Sequence, residues 1–289
     1  MGQTVAEYPF LKGHGTENDF VLLPDHDGTI HGALTDDEMA ERVRRLCDRR
    51  AGIGADGVLR VIRTHSVVDV RGALATSLKK SEWFMDYRNA DGSLSEMCGN
   101  GIRVFVRHLV DEGLVDPGSP IDIATRNGIK TLLLEGDQIT VDLGKARLLP
   151  ETKVSVGGAS WKAAHVDMGN PHAVAFVDDE ETLAGLDLTR PPEHDQALYP
   201  QGVNVELVVR RGQRHVAMRV HERGSGETRS CGTGAGAVLV ATATADEAPR
   251  PATYRVDVPG GTLSLTWTAD NHVLLTGPAV VAARGTTSL

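Results

Sequence analysis

The stretch Cys98-Gly99-Asn100-Gly101 returns in altered form as Cys231-Gly232-Thr233-Gly234 in a chain of 289 residues. Each copy begins with a cysteine, contains two glycines, and opens an apolar segment that predicts a helix. The first segment runs from Ile102 and stops near Gly113, and the second is the small-residue run 235–241. The repetition of this motif predicts two related halves, each with a thiol at the start of a helix.

A thiol in that position has chemical uses. The first backbone N–H groups of a helix have no intrahelical partner, and the macrodipole adds positive potential there. A free thiol has a pKa near ~8.5, and such a position lowers it by about one to several units. We therefore expect thiolate at neutral pH at Cys98 and Cys231, and carboxylate binding by the same N–H groups. The alternative, two small buried core residues, does not explain the matched contexts.

Composition excludes several classes of function. Hydrophobic residues make up 40% and charged residues 24%, as in ordinary soluble proteins. The net charge of −9 argues against a nucleic-acid-binding surface, and no apolar run reaches the length of a membrane span. Residues 1–10 lack a basic region followed by an apolar one, so we expect no signal peptide. Three cysteines then suit free thiols in a cytoplasmic protein.

The third cysteine and a glycine-rich stretch receive structural interpretations. Thr35 and the acids after it predict a helix start, and Cys47 lies on the apolar face of that helix. We therefore predict that Cys47 belongs to the core. The stretch 52–57 matches GxGxxG, but it follows a helix and precedes the strand 58–62. A dinucleotide site needs the reverse order, so we predict a turn.

Short β runs follow the first thiol helix and close the chain. We predict strands over 121–125, 130–134, 138–143, 254–258, 263–267 and 272–276. The polar segment from about 145 to 160 is predicted to join the two halves.

Three groups of polar residues have open interpretations. Asn18 stands in a polar loop before a strand, where it serves either a turn or a ligand. His172 follows Asn170 in a turn between strands, and a structural role and a catalytic one are equally compatible with this position. The adjacent Glu222 and Arg223 are either a surface ion pair or a recognition pair for a carboxylate and an ammonium.

Other catalytic patterns are missing from the sequence. It contains no HExxH, CxxC, Walker loop or GxSxG. A metal site at Cys98 or Cys231 would require further ligands at short spacing, which neither has. A Cys–His hydrolase would use one thiol and leave the second unexplained.

Six motifs, in order between about residues 10 and 240, together resemble those of diaminopimelate epimerase. They are His14-Gly15-Thr16-Glu17-Asn18-Asp19-Phe20, Asn89-Ala90-Asp91-Gly92-Ser93, Met97-Cys98-Gly99-Asn100-Gly101, Met168-Gly169-Asn170-Pro171-His172, Gly202-Val203-Asn204, and Glu222-Arg223-Gly224-Ser225-Gly226-Glu227-Thr228 before Cys231-Gly232-Thr233-Gly234. One position departs from the pattern, because some members carry Gln where Gly57 stands.

The resemblance implies roles for particular residues. Cys98 and Cys231 would be the two catalytic bases, with His172 in support. Arg223 would bind the distal carboxylate, and Glu222 with the asparagines would bind the distal ammonium. The implied substrate-binding set is Asn18, Asn89, Gly99, Asn100, Asn170, Asn204, Glu222, Arg223, Gly232 and Thr233.

The resemblance also implies a fold and an activity. The fold is α+β, with two pseudo-symmetric domains, each a mixed, mainly antiparallel sheet around a central helix, and the active site in the cleft between them. The domains would be 1–133 with 276–289, carrying Cys98, and 134–275, carrying Cys231. The implied enzyme interconverts LL- and meso-2,6-diaminopimelate, for lysine and peptidoglycan precursors, without pyridoxal phosphate, metal or any other cofactor. Its partner would be this small substrate, and a homodimer is left open.

Two rivals remain. One is a proline or histidine racemase of the same fold, which would have little need for Glu222, Arg223 and four asparagines. The other is a non-catalytic thiol switch or ligand-binding protein, which would cycle a disulfide without exchanging an α-hydrogen. The distal pocket distinguishes the first rival, and α-hydrogen exchange distinguishes the second.

Overall fold

The computed structural model describes residues 7–67 and 76–289. The expectation about a signal peptide rests on residues 1–10, of which 1–6 lie outside the described residues. Within the described ranges, no helix combines the length and the apolar character needed to cross a membrane.

The chain divides into two compact units. The first contains the described residues among 1–15, 19–139 and 278–289, and the second contains 16–18 and 140–277. The sequence placed the division between 133 and 134 and between 275 and 276. That these units are independent domains stays a prediction.

The elements of the first unit include two helices, α1 (Asp36–Cys47) and α2 (Gly99–Asp111), and a short 3₁₀ turn, Thr64–Ser66. Its strands are β1 (Tyr8–Gly15), β2 (Asn18–Pro24), β3 (Gly57–Arg63), β4 (Trp83–Asn89), β5 (Ile121–Thr125), β6 (Gly128–Glu135) and β18 (Val280–Thr287). Strand β7 (Gln138–Lys145) crosses the boundary between the units.

The second unit contains the helices α3 (Glu180–Gly185) and α4 (Gly232–Ala245). Its strands are β8 (Arg147–Val156), β9 (Ala159–Asp167), β10 (Pro171–Phe176), β11 (Glu193–His194), β12 (Asn204–Gly212), β13 (His215–Glu222), β14 (Gly226–Thr228), β15 (Ala252–Val258), β16 (Gly261–Trp267) and β17 (His272–Pro278).

The two units repeat one pattern of strand pairing. In the first, β2 is parallel to β3, β3 antiparallel to β4, β4 parallel to β5, and β5 antiparallel to β6. In the second, β10, β12, β13, β15 and β16 follow the same sequence of directions. Parallel neighbours require a crossover connection. Helices α1 and α2 lie in the crossovers of the first unit, and α3 and α4 lie in those of the second. This repeat confirms the expected pseudo-symmetric α+β fold.

The thiol helices lie in the core of their units. Helix α2 packs against β1, β3 and β18, and α4 packs against β9, β10, β12, β13, β15 and β16. Apolar and small residues cover α4 on all sides, and its buried positions run from Gly232 to Ala243 with Thr233 as the exception. A helix that is apolar all round must be enclosed, here by strands on several sides.

The predicted element types are largely confirmed. Helix α2 ends at Asp111, followed by Gly113 with φ +67°, and β5 spans the predicted 121–125. The stretch 52–57 forms a turn and then the first residue of β3. Cys47 is buried among the core residues under α1, as predicted.

The predicted linker at 145–160 is wrong. Residues 147–156 form β8, which pairs with β9 and, at its end, with β11. Most β8 side chains are exposed, and only Val154 and Val156 are buried, so the strand has little apolar alternation. Its neighbours on the sheet, rather than its own sequence pattern, supply the hydrogen bonds that keep it extended.

Candidate active site

Both cysteines cap their helices in the same way. Cys98 precedes α2 with φ −137° and ψ 123°, and its Sγ accepts a hydrogen bond from the Gly101 N–H at 3.4 Å. Cys231 precedes α4 with φ −122° and ψ 115°, and its Sγ accepts from the Gly234 N–H at 3.4 Å. The sulfur thus takes the place of the oxygen of an ordinary N-cap residue. The predicted thiols at helix N-termini are confirmed.

The second glycine of each motif permits close packing at the helix start. A Cβ on Gly234 would lie 2.7 Å from Glu206 Oε1 and 3.2 Å from Cys231 Sγ. A Cβ on Gly101 would lie 3.3 Å from a methyl group of Leu59. The first approach is closer than real Cβ contacts allow, and the second requires only a small shift.

The first unit places Asn89, Cys98, Gly99 and Asn100 at and before the start of α2. Asn89 ends β4, and its backbone N–H and its Nδ2 donate to Ser93 at 3.0 Å each, closing the turn. Asn100 is fully buried, and Arg103 Nη1 donates to its Oδ1 and to the Gly99 carbonyl, each at 3.0 Å. Cys98 itself is half-buried.

Arg103 is a fully buried cation, and none of the ion pairs found in the described part of the chain includes it. Burial lowers the pKa of its guanidinium to about 10, and interaction with Cys98 opposes that shift. The group therefore stays charged at neutral pH, beside the first thiol. Arg103 was not among the predicted site residues, although a charged residue in the apolar face of a predicted helix is a signal for such a role.

The second unit places Cys231 against carboxylates. Thr228 Oγ1 donates to Glu222 Oε1, and Glu222 lies close enough to the Cys231 thiol for each group to shift the pKa of the other. Burial raises the pKa of the Glu222 carboxyl. Glu222 therefore lies beside the second thiol. That Glu222 binds the distal ammonium stays a prediction.

The expected lowering of the thiol pKa is wrong at Cys231. Burial raises the pKa of this thiol well above its ordinary value, and the negative charges of Glu222 and Glu206 raise it further. The Gly234 N–H and the Thr233 hydroxyl act in the opposite direction but are outweighed. A helix N-terminus favours thiolate, but desolvation together with two nearby anions dominates here.

Asn204 links the first residue of β10 to Arg223, the residue that follows β13. Its Nδ2 donates to the Pro171 carbonyl at 3.2 Å, and its Oδ1 accepts from the Arg223 N–H at 2.9 Å. A Cβ on Gly202, which has φ +83°, would lie 3.2 Å from Arg223 Cγ, so the arginine stem lies across this glycine. Arg223 is exposed. Asn204 therefore positions Arg223 in addition to any contact with substrate.

His172 and Asn170 lie together with a residue that sequence reasoning missed. His172 Nε2 is 3.0 Å from Asn170 Oδ1, and His172 Nδ1 is 2.7 Å from Glu206 Oε1. Glu206 lies in β12, and both His172 and Glu206 are fully buried. Its signal was available, since a glutamate in the apolar run 203–209 is unusual unless it is paired.

Two further positions complete the predicted set. Asn18 begins β2 and is grouped with the second unit. Gly57 opens β3 opposite Asn89, and a Cβ there would lie 2.6 Å from the Arg88 carbonyl oxygen. The glutamine of some family members does not fit at Gly57 without a movement of β4.

The structure therefore forms two groups of candidate residues. The first unit brings together Asn89, Cys98, Gly99 and Asn100, with Arg103 added. The second unit holds Asn18, Asn170, His172, Asn204, Glu222, Arg223, Cys231, Gly232 and Thr233, with Glu206 added. Cys47 lies apart in the core, where burial raises the pKa of its thiol to about 12. No group of three or more His, Cys, Asp or Glu side chains in residues 7–67 and 76–289 is arranged to hold a metal ion.

Comparisons with known proteins agree on one family. A family model described as diaminopimelate epimerase matches residues 10–149 and 164–282. A diaminopimelate epimerase of Streptomyces coelicolor is 55% identical, over 96% of this chain and 94% of its own length. Relatives of the same name from Thermobifida fusca and Mycolicibacterium smegmatis are each 44% identical over 96% of the chain, with 96% and 95% of their own lengths covered.

Solved structures with low sequence identity share the fold. A phenazine biosynthesis protein of the PhzF family from Bacillus anthracis superimposes with a TM-score of 0.69 at 14% identity, covering 98% of this chain and 99% of its own. A hydroxyproline epimerase from Agrobacterium vitis gives a TM-score of 0.63 at 12% identity, with 97% and 92% covered. At such identities the likeness describes the fold alone.

Proposed function

The chain belongs to the diaminopimelate epimerase family, and on that premise we propose that it interconverts LL- and meso-2,6-diaminopimelate by inverting one α-carbon. The observation that carries the proposal is the matched pair of sulfurs, each seated at 3.4 Å from the third backbone N–H of a core helix. A single thiol would serve many reactions, but two in equivalent positions suit a reaction that needs a base on each face of one carbon.

The reaction transfers one proton out and one proton in. The thiolate of one cysteine takes the α-hydrogen as a proton, and the electron pair of the broken C–H bond remains on the carbon. The thiol of the other cysteine then gives its proton to the opposite face and becomes the thiolate. Cys98 and Cys231 exchange roles when the direction reverses, so the protein returns to its starting state after a forward and a reverse turnover.

The α-carboxylate must take up the charge of the carbanion. Each thiol helix begins with backbone N–H groups that have no acceptor within the helix. They belong to Gly99 and Asn100 in α2 and to Gly232 and Thr233 in α4. Directed at the substrate carboxylate, they stabilise the charge that develops in it, and losing one such donor typically costs about 3–4 kcal/mol. The side chain of Asn100 is held in place by Arg103.

Substrate selection uses the residues around β13. The Arg223 guanidinium binds the distal carboxylate in a bidentate manner, and Asn204 fixes the backbone from which it extends. Glu222, which lies beside Cys231, binds the distal ammonium together with the asparagines. Asn18, Asn89 and Asn170 provide the remaining amide groups for the two ammonium and carboxylate ends.

The test is a comparison of substrates with the purified protein. We expect conversion of LL-diaminopimelate to the meso isomer, measured by chiral chromatography. Under the same conditions we expect no racemisation of L-proline or L-histidine. Turnover of proline or histidine without turnover of diaminopimelate would assign the chain to a different member of this fold. Action in the cytoplasm, a homodimeric state and independence of any cofactor stay predictions.

A further inference from the structure

Glu206 is a buried carboxylate without an assigned role. It lies in β12 with no exposed surface, and its Oε1 is 2.7 Å from Nδ1 of His172 in the neighbouring parallel strand β10. His172 is equally buried. A carboxylate in such surroundings is costly unless it is paired, so the contact with His172 explains why the chain tolerates it.

The histidine ring is held at both nitrogens. An ionised Glu206 can only accept a hydrogen bond, so in that state Nδ1 of His172 carries the hydrogen. At the other side Nε2 is 3.0 Å from Asn170 Oδ1. Either Nε2 donates to this oxygen, and the ring is a cation, or the Asn170 amide is turned and donates to a neutral ring. In both cases the tautomer and the orientation of His172 depend on Glu206.

Glu206 also lies against the start of α4. A Cβ built on Gly234 would meet Glu206 Oε1 at 2.7 Å and Cys231 Sγ at 3.2 Å, which places the carboxylate and the thiol on the same side of the first turn. The second oxygen, Oε2, is buried and has no hydrogen-bond partner among the described residues. The carboxylate is therefore seated beside the sulfur with part of its bonding capacity unused.

Several charged or titratable groups surround the Cys231 thiol. Glu206 comes from β12, Glu222 from the end of β13 and His172 from β10. His165 in β9 interacts with His172 rather than with the thiol. Both carboxylates and burial raise the pKa of Cys231. The cationic side chain of Arg223 directly follows Glu222 at the end of β13 and is exposed to solvent.

On the basis of the proposed function, we propose that Glu206 is a positioning residue that orients His172 and keeps Cys231 in its thiol form in the substrate-free enzyme. Cys231 is then the proton donor of the resting protein, and Cys98 is the cysteine that carries the thiolate. The Cys231 S–H bond stays intact until the carbanion takes its proton. Substrate ammonium beside Glu222 then offsets one of the two negative charges and makes the resulting Cys231 thiolate less costly.

The first experiment measures the Cys231 thiol without requiring turnover. Full-length protein is alkylated with iodoacetamide from pH 6 to 10, and the Cys231 peptide is quantified by mass spectrometry. The midpoint is the pH at which the alkylation rate of Cys231 is half its maximum. For wild-type protein we expect this midpoint to lie above about 8.5, the pKa of a free thiol. In Glu206→Gln, which keeps the shape and removes the charge, the midpoint should fall by about one pH unit or more, which is about a tenfold higher rate at pH 7.5.

The matched control is Glu227→Gln. This glutamate is exposed in β14, the strand paired with β13, and its removal takes one negative charge from the same sheet. We expect the Cys231 midpoint to stay unchanged in this variant. A Cys231 midpoint that does not move in Glu206→Gln, or that moves equally in both variants, would overturn the proposal. If Glu206→Gln does not fold, a wild-type midpoint below that of a free thiol overturns it as well.

The second experiment separates positioning from structure. In Glu206→Gln we expect kcat for diaminopimelate to fall about tenfold or more, with KM within about twofold and the pH profile of kcat displaced in the same direction as the alkylation midpoint. A purely structural role would lower the melting temperature and leave both pH profiles in place. If the alkylation midpoint shifts as expected but wild-type protein does not epimerise diaminopimelate, the proposed function fails. The effect of Glu206 on the protonation of the Cys231 thiol then still stands.

Discussion

At the start of α2 the buried charged group is the guanidinium of Arg103, whereas at the start of α4 there are two carboxylates, those of Glu206 and Glu222. The two helix starts otherwise agree in their capping dihedrals and in the 3.4 Å bond that holds each sulfur. The duplicated motif therefore sets where each sulfur lies, and residues from other positions set the charges around it. A pseudo-symmetric fold thus carries an electrically asymmetric pair of thiols, one beside a cation and one beside anions.

The largest effect is expected from removing either sulfur. Cys98→Ser and Cys231→Ser should each lose about a thousandfold or more in kcat, because a serine hydroxyl is a far weaker acid and base partner at neutral pH. Circular dichroism and the melting temperature should stay near wild type. Cys47→Ala is the control, with unchanged kcat and a stability loss of about 1–2 kcal/mol from the core. A serine variant with near wild-type kcat would remove the need for two thiols.

The next largest effect is expected from removing the buried charge of Arg103 beside Cys98. Arg103→Met removes the charge beside Cys98 and the donor that holds Asn100, so we expect kcat/KM to fall about a hundredfold, or about 2.7 kcal/mol. Arg107→Met, one turn later in α2, removes an arginine that pairs with Asp111. Steady-state assays of that control should stay within about twofold. Equal losses in both variants would show that the charge of Arg103 has no particular relation to Cys98.

The motif glycines should differ in their tolerance of a methyl group. Gly234→Ala brings a Cβ within 2.7 Å of Glu206 Oε1, whose carboxylate is held by His172, so we expect a loss of about 2 kcal/mol in the free energy of unfolding. Gly101→Ala meets a Leu59 methyl group at 3.3 Å and gains helix propensity, so its net change should be close to zero. Urea unfolding of the two variants tests the difference, and similar losses in both would contradict it.

The smallest effect concerns the third motif position. Asn100→Ala removes the acceptor of a buried Arg103 N–H and should cost about 1–2 kcal/mol of stability. Thr233→Ala removes only a weak contact with Cys231 Sγ at 3.7 Å and should cost less than about 0.5 kcal/mol. Thermal unfolding distinguishes the two, and a Thr233 variant that is the less stable one would reverse the comparison.

The sequence was most informative where local chemistry alone determines structure. The Cys-Gly-X-Gly motifs predicted both helix starts, because capping and the missing Cβ of glycine act within four residues. The strands 121–125, 254–258 and 263–267 were predicted from their apolar pattern and their turns. The mainly exposed β8 was missed, because pairing with β9 and β11 determines its conformation.

The chemistry of the site was predicted less completely than its positions. Arg103 and Glu206 were missed because each resembles an ordinary polar residue until its burial is known. The protonation of Cys231 was misjudged for the same reason, since the carboxylates that set it come from β12 and β13. Long-range packing decides these points, and periodicity carries no information on which side chains will face one another.

The most direct test of the two-thiol account is the fate of the α-hydrogen in deuterated water. LL-diaminopimelate is incubated with wild-type protein, and initial product and remaining substrate are examined by mass spectrometry and NMR. Because one cysteine removes the hydrogen and the other delivers a solvent-derived one, we predict meso product with a single deuterium at the inverted carbon, beside unlabelled substrate. Product that retains the original hydrogen, or substrate that gains deuterium before it is inverted, would show that one group acts on both faces and would contradict the account.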